Sequence, residues 1–511
     1  QTAFGEWQVT RKSGAQVRVP RRATLNRRIG GLFPTDFDPA RWGIPASMLD
    51  SIDPIAVWNL VSAVDAFVSA GFSPAELLRV VHPATVASTQ GTGFGGMRSM
   101  HKLFVDRFLG EEYPQDILQE TLPNVVAAHT MQSYVGGYGS MINPVGACAT
   151  AAVSIEEGVD KIKAGKADFV VAGAIDDIQV ESIVGFGAMN ATANSNELLA
   201  RGISSRFVSR ANDRRRGGFV EAQGGGTVLL TRGSVALEMG LPVLAVVAHA
   251  QTFSDGAHTS IPAPGLGALA VARGGRDSVI ARNLAELGVG IDDVAFVSKH
   301  DTSTNANDPN ESDLHTRVGM ALGRTPGNPL LVISQKTLTG HAKGGACVFQ
   351  VGGIIDVFRT GLIPANVALD CVDDAMEQYG PLVWLRSPLN LSSRGPVRAA
   401  FATSLGFGHV SGFLALVNPA AFEAIVEREV GRERLEAWRA ASDRRLRNGQ
   451  RHIEMGMLGH APLFTSVEGR RLPDDPASGV AGDAHEVEAA ILLDPNARLG
   501  EDGFYHLPEG K

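Results

Sequence analysis

The apolar positions of this chain follow two patterns. In the first, apolar residues recur every three or four positions, which predicts helices over 57–67, 152–162 and 420–448. In the second, short continuous apolar runs are bounded by turns, which is typical of buried strands. Such runs begin near residues 168, 224, 294, 330 and 399. Helices and buried strands in this alternation predict a layered α/β fold.

The two ends of the chain differ from its middle. Residues 1–30 hold seven basic side chains and one acidic side chain, Glu6. We interpret this arm as a solvated linker, with a specific docking strip as the alternative. The helix over 420–448 has one apolar set, which is interrupted by Gly431: Phe422, Ile425, Val426, Val430, Leu435 and Trp438. Beyond residue 450 we expect a tail that covers the surface or docks on a neighbour.

Composition narrows the class of protein. The chain has 511 residues with 44% hydrophobic residues, enough for two to four domains or one large duplicated α/β unit. A net charge of −8 gives no support to nucleic-acid binding. No apolar run has transmembrane length, and no signal peptide is present. Three cysteines without a CxxC pattern indicate no metal site and a reducing, cytoplasmic setting. Because it starts with Gln1, we expect a processed chain or a piece of a longer one.

The first candidate for chemistry is Cys148. It stands between a small, glycine-containing turn and the helix predicted over 152–162, which ends near Gly165. The positive end of a helix favours a thiolate, and small neighbours leave room for a carbonyl group. Cys148 is therefore a candidate for a nucleophile that forms a thioester. A small buried hydrophobe is the alternative, because most lone cysteines in such segments are structural.

Three further candidates stand where apolar strands end. The run over 294–297 leads to His300, and the run over 330–334 leads to Lys336 and His341. Ligand groups of α/β sheets are found at such strand ends. A thiol, two imidazoles and a lysine are the groups that a decarboxylating carbon–carbon condensation needs. The glycine-rich loop over 91–97 lacks a phosphate-binding spacing, and we expect Phe94 there to line a substrate channel.

Four motifs in this order resemble those of the β-ketoacyl synthases, which have the thiolase fold. They are residues 146–150 (GACAT), 300–304 (HDTST, against HGTxT), 334–341 (SQKTLTGH, against SxKxxxGH) and 405–408 (LGFG). Gln223 and Gln350 stand where many relatives have glutamate. In this respect the chain resembles the ketosynthase domains of microbial type I fatty acid synthases, actinobacterial or fungal. The short C-terminal tail favours the actinobacterial type.

The resemblance implies a fold and a set of roles. The fold is a duplicated, layered α-β-α-β-α architecture over 31–418, with halves of 31–250 and 251–418, and residues 419–511 serve packing or assembly. Cys148 accepts the acyl chain, His300 and His341 support malonyl decarboxylation, and Lys336 tunes the His341 region. The N–H groups of Cys148 and Phe407 form the oxyanion hole, and the Phe407 ring is a gate. Substrate-binding positions are implied for Thr302, Thr304, Phe94, Gly406 and Gly408.

The same resemblance implies the partners. The domain binds no cofactor or metal of its own, and its substrates arrive on the phosphopantetheine of an acyl carrier protein. Other fatty acid synthase domains surround it, and it pairs as a two-fold dimer within a larger, hexameric assembly. The alternatives are a non-catalytic ketosynthase-like partner, which typically lacks the cysteine, and a polyketide synthase domain, which Gln223 disfavours. A thiolase or an initiating synthase lacks the spacing from Lys336 to His341.

Overall fold

The computed structural model describes residues 13–14, 26–106, 114–256, 265–467 and 484–506 of the chain. Most of the basic arm lies outside these ranges. The α-helices are α1 (Ala46–Ser51), α2 (Pro54–Ser69), α3 (Pro74–Leu78), α4 (Met97–His101), α5 (Ile117–Glu120), α6 (Pro123–Thr130), α7 (Thr150–Lys163), α8 (Val180–Ala188), α9 (Ser195–Ala200), α10 (Gly233–Met239), α11 (Val279–Glu286), α12 (Asn307–Leu322), α13 (Lys336–Thr339), α14 (Ala346–Thr360), α15 (Ala420–Val430), α16 (Arg432–Met457) and α17 (Ala484–Leu493).

The strands form two main sheets and two short two-stranded sheets, β7 with β9 and β12 with β13. They are β1 (Val86–Ser88), β2 (Phe169–Asp176), β3 (Gly224–Thr231), β4 (Val246–Ser254), β5 (Val294–Ser298), β6 (Leu330–Ile333), β7 (Leu362–Ile363), β8 (Leu382–Trp384), β9 (Leu389–Asn390), β10 (Ala399–Gly406), β11 (Val410–Val417), β12 (Arg498–Leu499) and β13 (Tyr505–His506). The first sheet has the order β1-β2-β3, and the second has the order β4-β11-β10-β5-β6-β8. In the second sheet β10, β5, β6 and β8 run parallel to one another, and β11 is antiparallel to both of its neighbours, β10 and β4.

Alternate residues of each strand pack into different layers. In β2, Val170 and Ala172 pack in the central core, whereas Phe169 and Val171 pack on the outer side of the sheet. Successive strand residues face opposite sides of a sheet, so a sheet covered on both sides needs apolar residues at every position. This is why the five predicted strands appear in the sequence as continuous apolar runs, and all five are confirmed.

Two helices fill the space between the sheets. Ala152 and Ile155 of α7 share the central core with Val351 and Ile354 of α14. Helices α2, α15 and α16 cover the outer face of the first sheet, and α11 and α12 cover the outer face of the second. The layer order is helix, sheet, helix, sheet, helix, which confirms the predicted thiolase-like architecture. In each half, the central helix begins just after the loop that carries the candidate catalytic groups.

The C-terminal segment agrees with its prediction at Gly431, where the expected break is present, and differs from it in Val430 and the tail. The pattern over 420–448 forms two helices that meet at Gly431, where φ is +90°. Val430 is half exposed rather than part of the apolar set, because it occupies the last turn before this break. Leu463, Ile491 and Leu499 are buried in the same core as α2, so much of the described tail belongs to the outer layer.

The described end of the basic arm is bound to the body of the protein. Gly31 forms a β-bridge with Ala222, and the Arg27 side chain donates a hydrogen bond of 2.7 Å to Thr192 Oγ1. The interpretation of the arm as a solvated linker is therefore wrong from residue 26 onward. No helix in the described part of the chain is long and apolar enough to cross a bilayer.

Candidate active site

A tight turn presents Cys148 at the start of α7. The 3-10 turn Ala147–Ala149 runs directly into this helix, as predicted. Ala147 adopts a left-handed φ of +47°, an unusual conformation for a residue with a side chain. The Thr150 hydroxyl holds the turn, because it donates 2.7 Å to the Ala147 carbonyl and accepts 3.0 Å from the Gly146 N–H.

The hairpin between β10 and β11 closes over this turn. A Cβ atom at Gly406 would lie 2.4 Å from the Gly146 carbonyl oxygen, so only glycine permits this approach. The Phe407 backbone N–H lies near enough to the Cys148 sulfur to lower the pKa of the thiol slightly. This places the Phe407 amide beside the atom that would hold an acyl group.

The thiol is buried, and its burial dominates its ionisation. Cys148 is 8% exposed, and desolvation raises its pKa to about 11, although the ammonium groups of Lys336 and Lys343 lower it in part. Burial therefore outweighs the influence of the helix N-terminus, which favours a thiolate. A buried thiol needs a proton acceptor during acyl transfer.

Lys336 binds His300 directly. The Lys336 Nζ lies 2.8 Å from His300 Nδ1 and also donates to the His300 carbonyl. Burial lowers the pKa of Lys336 to about 8, so the group stays mostly protonated near pH 7. The predicted electrostatic influence of Lys336 on His341 is present, because its charge lowers the pKa of His341, but its hydrogen bonds are made with His300. Strand β5 delivers His300 beside the end of β6, and the two strands are parallel neighbours.

The lysine fixes the proton position on His300. An ammonium group can only donate, so His300 Nδ1 accepts and the ring proton resides on Nε2. Burial and the nearby Lys336 charge hold the pKa of His300 well below its ordinary value. His300 is therefore a neutral imidazole with an N–H donor on the side opposite Lys336.

The second imidazole stands at right angles to the first. The ring centres of His300 and His341 are 5.1 Å apart with an interplanar angle of 90°. Burial, followed by the charges of Lys336 and Lys343, also holds the pKa of His341 well below its ordinary value. The backbone of His341 is fixed by hydrogen bonds with Val220 and Ala222. Two neutral imidazoles therefore face the same space.

The predicted groups meet in one cavity of about 620 Å³. Cys148, His300 and His341 line it, and so do four of the predicted substrate-binding and gating residues: Thr302, Thr304, Gly406 and Phe407. The Thr302 and Thr304 hydroxyls are 3.1 Å apart. Lys336 lies behind His300 rather than on the wall, and Gly408 is a turn residue with φ of +84°.

The predicted channel residue Phe94 lies one ring away from the cavity wall. Its ring centre is 6.3 Å from that of Phe186, which lines the cavity. Phe186 also contacts Phe219 and Phe407, so it is the centre of an aromatic cluster. Phe186 could not be predicted from the sequence, because a phenylalanine within an apolar helix carries no separate signal.

The glycine-rich loop over 91–97 is shaped by protein groups. The buried Asp176 carboxylate accepts hydrogen bonds from the N–H groups of Gly93 (2.9 Å) and Gly344 (2.7 Å). A Cβ atom at Gly96 would lie 1.9 Å from the Glu120 carbonyl oxygen. The loop glycines thus permit a close approach to the Glu120 backbone, as expected from their number. Asp176 links this loop to the segment after His341.

Comparisons with known proteins identify the family. Residues 3–236 match the β-ketoacyl synthase N-terminal domain, and residues 244–370 match the β-ketoacyl synthase C-terminal domain. The chain belongs to the β-ketoacyl synthase family.

Its relatives include subunits of large synthases. The chain is 36% identical to the fatty acid synthase alpha subunit stcJ of Emericella nidulans and 30% identical to the fatty acid synthase subunit alpha of Saccharomyces cerevisiae, over 95% and 98% of its length. It spans 30% of the length of each of these proteins. The noncanonical ketosynthase FabY from P. aeruginosa shares its fold, with a TM-score of 0.77, 24% identity and coverage of 85% of this chain and 67% of that one.

Two acids of this ketosynthase were missed by the sequence analysis. The Glu311 carboxylate accepts hydrogen bonds from the N–H groups of His300 and Asp301, and Asp308 accepts one of 2.8 Å from the Asn212 N–H. Both acids lie in the first turns of α12, three residues apart. Two acids at helical spacing just after HDTST are the signal that could have found them. Among the described residues, no group of three histidine, cysteine or acidic side chains could hold a metal ion.

Gln223 and Gln350 have separate structural tasks. Gln223 accepts a hydrogen bond of 2.8 Å from the Phe33 N–H and does not line the cavity. The Gln350 amide nitrogen lies 2.8–3.1 Å from three buried carbonyl oxygens, those of Ser298, Lys299 and Thr403. An amide group can donate there, whereas a carboxylate cannot.

We expect Gln350→Glu to destabilise the fold. A carboxylate would face three carbonyl oxygens without a hydrogen to donate, and the loss should be about 2 kcal/mol or more in the free energy of unfolding. Urea unfolding measures this loss. Gln350→Met, which removes the amide without adding negative charge, is the control and should lose less. A Gln350→Glu protein as stable as the wild type would contradict this account.

Proposed function

We propose that this chain is the condensing domain of a type I fatty acid synthase, which extends a Cys148-bound acyl chain by two carbons from a malonyl thioester. The observation that carries the proposal is the single cavity that a buried thiol shares with two neutral imidazoles. The family membership and the relatives named above support it. A non-catalytic partner is disfavoured, because Cys148, His300 and His341 are all present in one cavity.

The first half-reaction loads Cys148. The sulfur attacks the carbonyl carbon of an acyl thioester, and its proton passes through a neutral imidazole to the departing carrier thiolate. The tetrahedral oxyanion is stabilised by backbone N–H groups, for which Phe407 and Cys148 are the candidates. The Phe407 amide lies beside the sulfur in the free site, where its influence lowers the pKa of the thiol slightly.

The second half-reaction forms the new carbon–carbon bond. The malonyl thioester loses carbon dioxide, and the electron pair of the broken bond moves onto the thioester as an enolate. His300 Nε2–H and the His341 ring stabilise the enolate oxygen, since neutral donors in a dry site stabilise developing charge effectively. The enolate carbon then attacks the acyl carbonyl on Cys148. The tetrahedral intermediate expels the Cys148 thiolate, which takes up one proton from solvent through a neighbouring imidazole.

We also infer the setting in which this domain works. The reactive thiol is deep in the cavity, which supports delivery of substrates on the long phosphopantetheine arm of an acyl carrier protein. Exposed apolar side chains before the nucleophile turn, at Met141, Ile142 and Val145, support pairing with a second copy in a larger assembly. The free thiols of Cys148, Cys347 and Cys371 support a reducing, cytoplasmic location.

Stoichiometry tests the proposal. Protein loaded with one acyl group is mixed with a malonyl carrier protein, and carbon dioxide and the product thioester are measured. We expect one carbon dioxide for each 3-oxoacyl product that is two carbons longer. A methylmalonyl carrier protein is the matched comparison, because preference for it would favour the polyketide alternative. Hydrolysis of the acyl group without carbon–carbon bond formation would contradict the proposed function.

A further inference from the structure

Asp301 occupies a backbone conformation that usually belongs to glycine. Its φ is +38°, and the related motif HGTxT has glycine at this position. A side chain is strained in the left-handed region, so the surrounding structure must hold it there. The residue directly follows His300, and its side chain is fully buried.

The Asp301 carboxylate is bound on several sides. One oxygen is 2.7 Å from the Lys299 ammonium group, which is itself fully buried. The other oxygen accepts hydrogen bonds of 2.6 Å from Ser334 Oγ and 2.8 Å from Asn212 Nδ2. Lys299 in turn donates to Asn212 Oδ1 at 3.1 Å and to Ser312 Oγ at 3.0 Å. None of these contacts reaches the cavity directly.

These contacts join the two strand ends that carry the reactive pair. Asp301 follows His300 at the end of β5, and Ser334 precedes Lys336 at the end of β6. One carboxylate therefore bridges the segment that carries His300 and the segment that carries Lys336. These two residues meet across the segments, with Lys336 Nζ 2.8 Å from His300 Nδ1. A small separation of these segments would break that hydrogen bond.

We propose that Asp301, neutralised by Lys299, is a positioning residue that clamps the ends of β5 and β6 and so keeps Lys336 bonded to His300 in its Nε2–H form. The inference rests on the role proposed above for His300. It explains why a carboxylate is retained in a glycine conformation beside a catalytic histidine. It also assigns a task to Lys299, because either charge buried without the other would be strongly unfavourable.

The direct test is the double variant Lys299→Met with Asp301→Gly. Methionine removes the buried charge at similar length, and glycine fits the φ of +38°, so the pair is lost without an unpaired charge or backbone strain. We expect a folded protein that acquires the acyl group on Cys148 within threefold of the wild-type rate. Malonyl decarboxylation should fall at least tenfold. The acid side of its pH–rate profile should move to higher pH, because a His300 released from Lys336 protonates more easily.

The chain offers a matched control at the opposite ends of the same two strands. Asp292 precedes β5, and its carboxylate accepts hydrogen bonds from Thr325 N (2.9 Å) and Asn328 Nδ2 (3.1 Å), which precede β6. Asp292→Asn should leave decarboxylation and its pH profile unchanged.

Three results would overturn the inference: unchanged decarboxylation in a folded double variant, an equal loss in Asp292→Asn, or a parallel loss of acylation and decarboxylation with an unmoved pH profile. If the double variant does not fold, Lys299→Met with Asp301→Asn, which removes both charges and whose asparagine tolerates the left-handed region, replaces it under the same criteria. Full decarboxylation by His300→Ala would instead contradict the proposed function, so the two failures are distinguishable.

Discussion

Changing Cys148 to alanine should abolish condensation and leave malonyl decarboxylation largely intact. The thiol holds the acyl group, so without it no carbonyl is available for the enolate to attack, and condensation should fall by more than about a thousandfold. The imidazoles that stabilise the enolate are held by Lys336, Val220 and Ala222 rather than by the thiol. Product formation and carbon dioxide release, measured on the same sample, separate the two steps.

Cys347 provides the control for this substitution. It is also a buried thiol in the central layer, and burial raises its pKa to about 12, but it does not line the cavity. Cys347→Ala should therefore retain both activities, apart from a modest loss of stability. Condensation that survives in Cys148→Ala, or that disappears equally in Cys347→Ala, would contradict the assignment of the nucleophile.

Removing either imidazole should have the reverse effect. In His300→Ala or His341→Ala, malonyl decarboxylation should fall by about 10²–10⁴-fold, since each ring supplies stabilisation to the developing enolate. Acyl transfer to Cys148 should continue, although more slowly, because one imidazole remains as a proton acceptor. Decarboxylation is measured as carbon dioxide released from a malonyl thioester.

His249 is the comparison for these variants. It is another buried histidine whose pKa is lowered by burial, to about 4, but it stands in β4 and does not line the cavity. His249→Asn should decarboxylate at the wild-type rate. A wild-type rate in His341→Ala would remove that residue from the mechanism, and the same result in His300→Ala would remove the Lys336–His300 pair.

The main strands, the central helices and the reactive groups could be predicted from the sequence, for a physical reason. Buried strands and central helices need continuous apolar or small residues, so their positions stand out along the chain. The groups that end these elements, Cys148, His300 and His341, are also local features with distinctive chemistry. The hairpin strand β11 is less visible, because only residues 407–409 separate it from β10.

Features that depend on distant partners could not be predicted. Lys336 stands five residues from His341 in sequence, yet it binds His300, because parallel pairing of β5 and β6 brings these two strand ends together. Asp176 supports the glycine-rich loop and the segment after His341 from β2, far from both in sequence. The spacing of residues along the chain does not predict contacts of this kind.

Burial changed the expected chemistry of the thiol. The helix N-terminus is a local feature and favours a thiolate, but the depth of Cys148 is a property of the whole fold. Desolvation is the largest influence on its pKa, and the two neighbouring ammonium groups offset only part of it. The resting site therefore consists of a thiol and two neutral imidazoles rather than an ion pair.

The most direct test of the central claim is the intact mass of the protein after mixing with a long-chain acyl thioester. The account predicts one acyl adduct, mapped to Cys148 by peptide analysis and missing from Cys148→Ala. An adduct on Cys371, the most exposed of the three thiols, or no adduct on a folded protein, would contradict Cys148 as the acyl-accepting nucleophile.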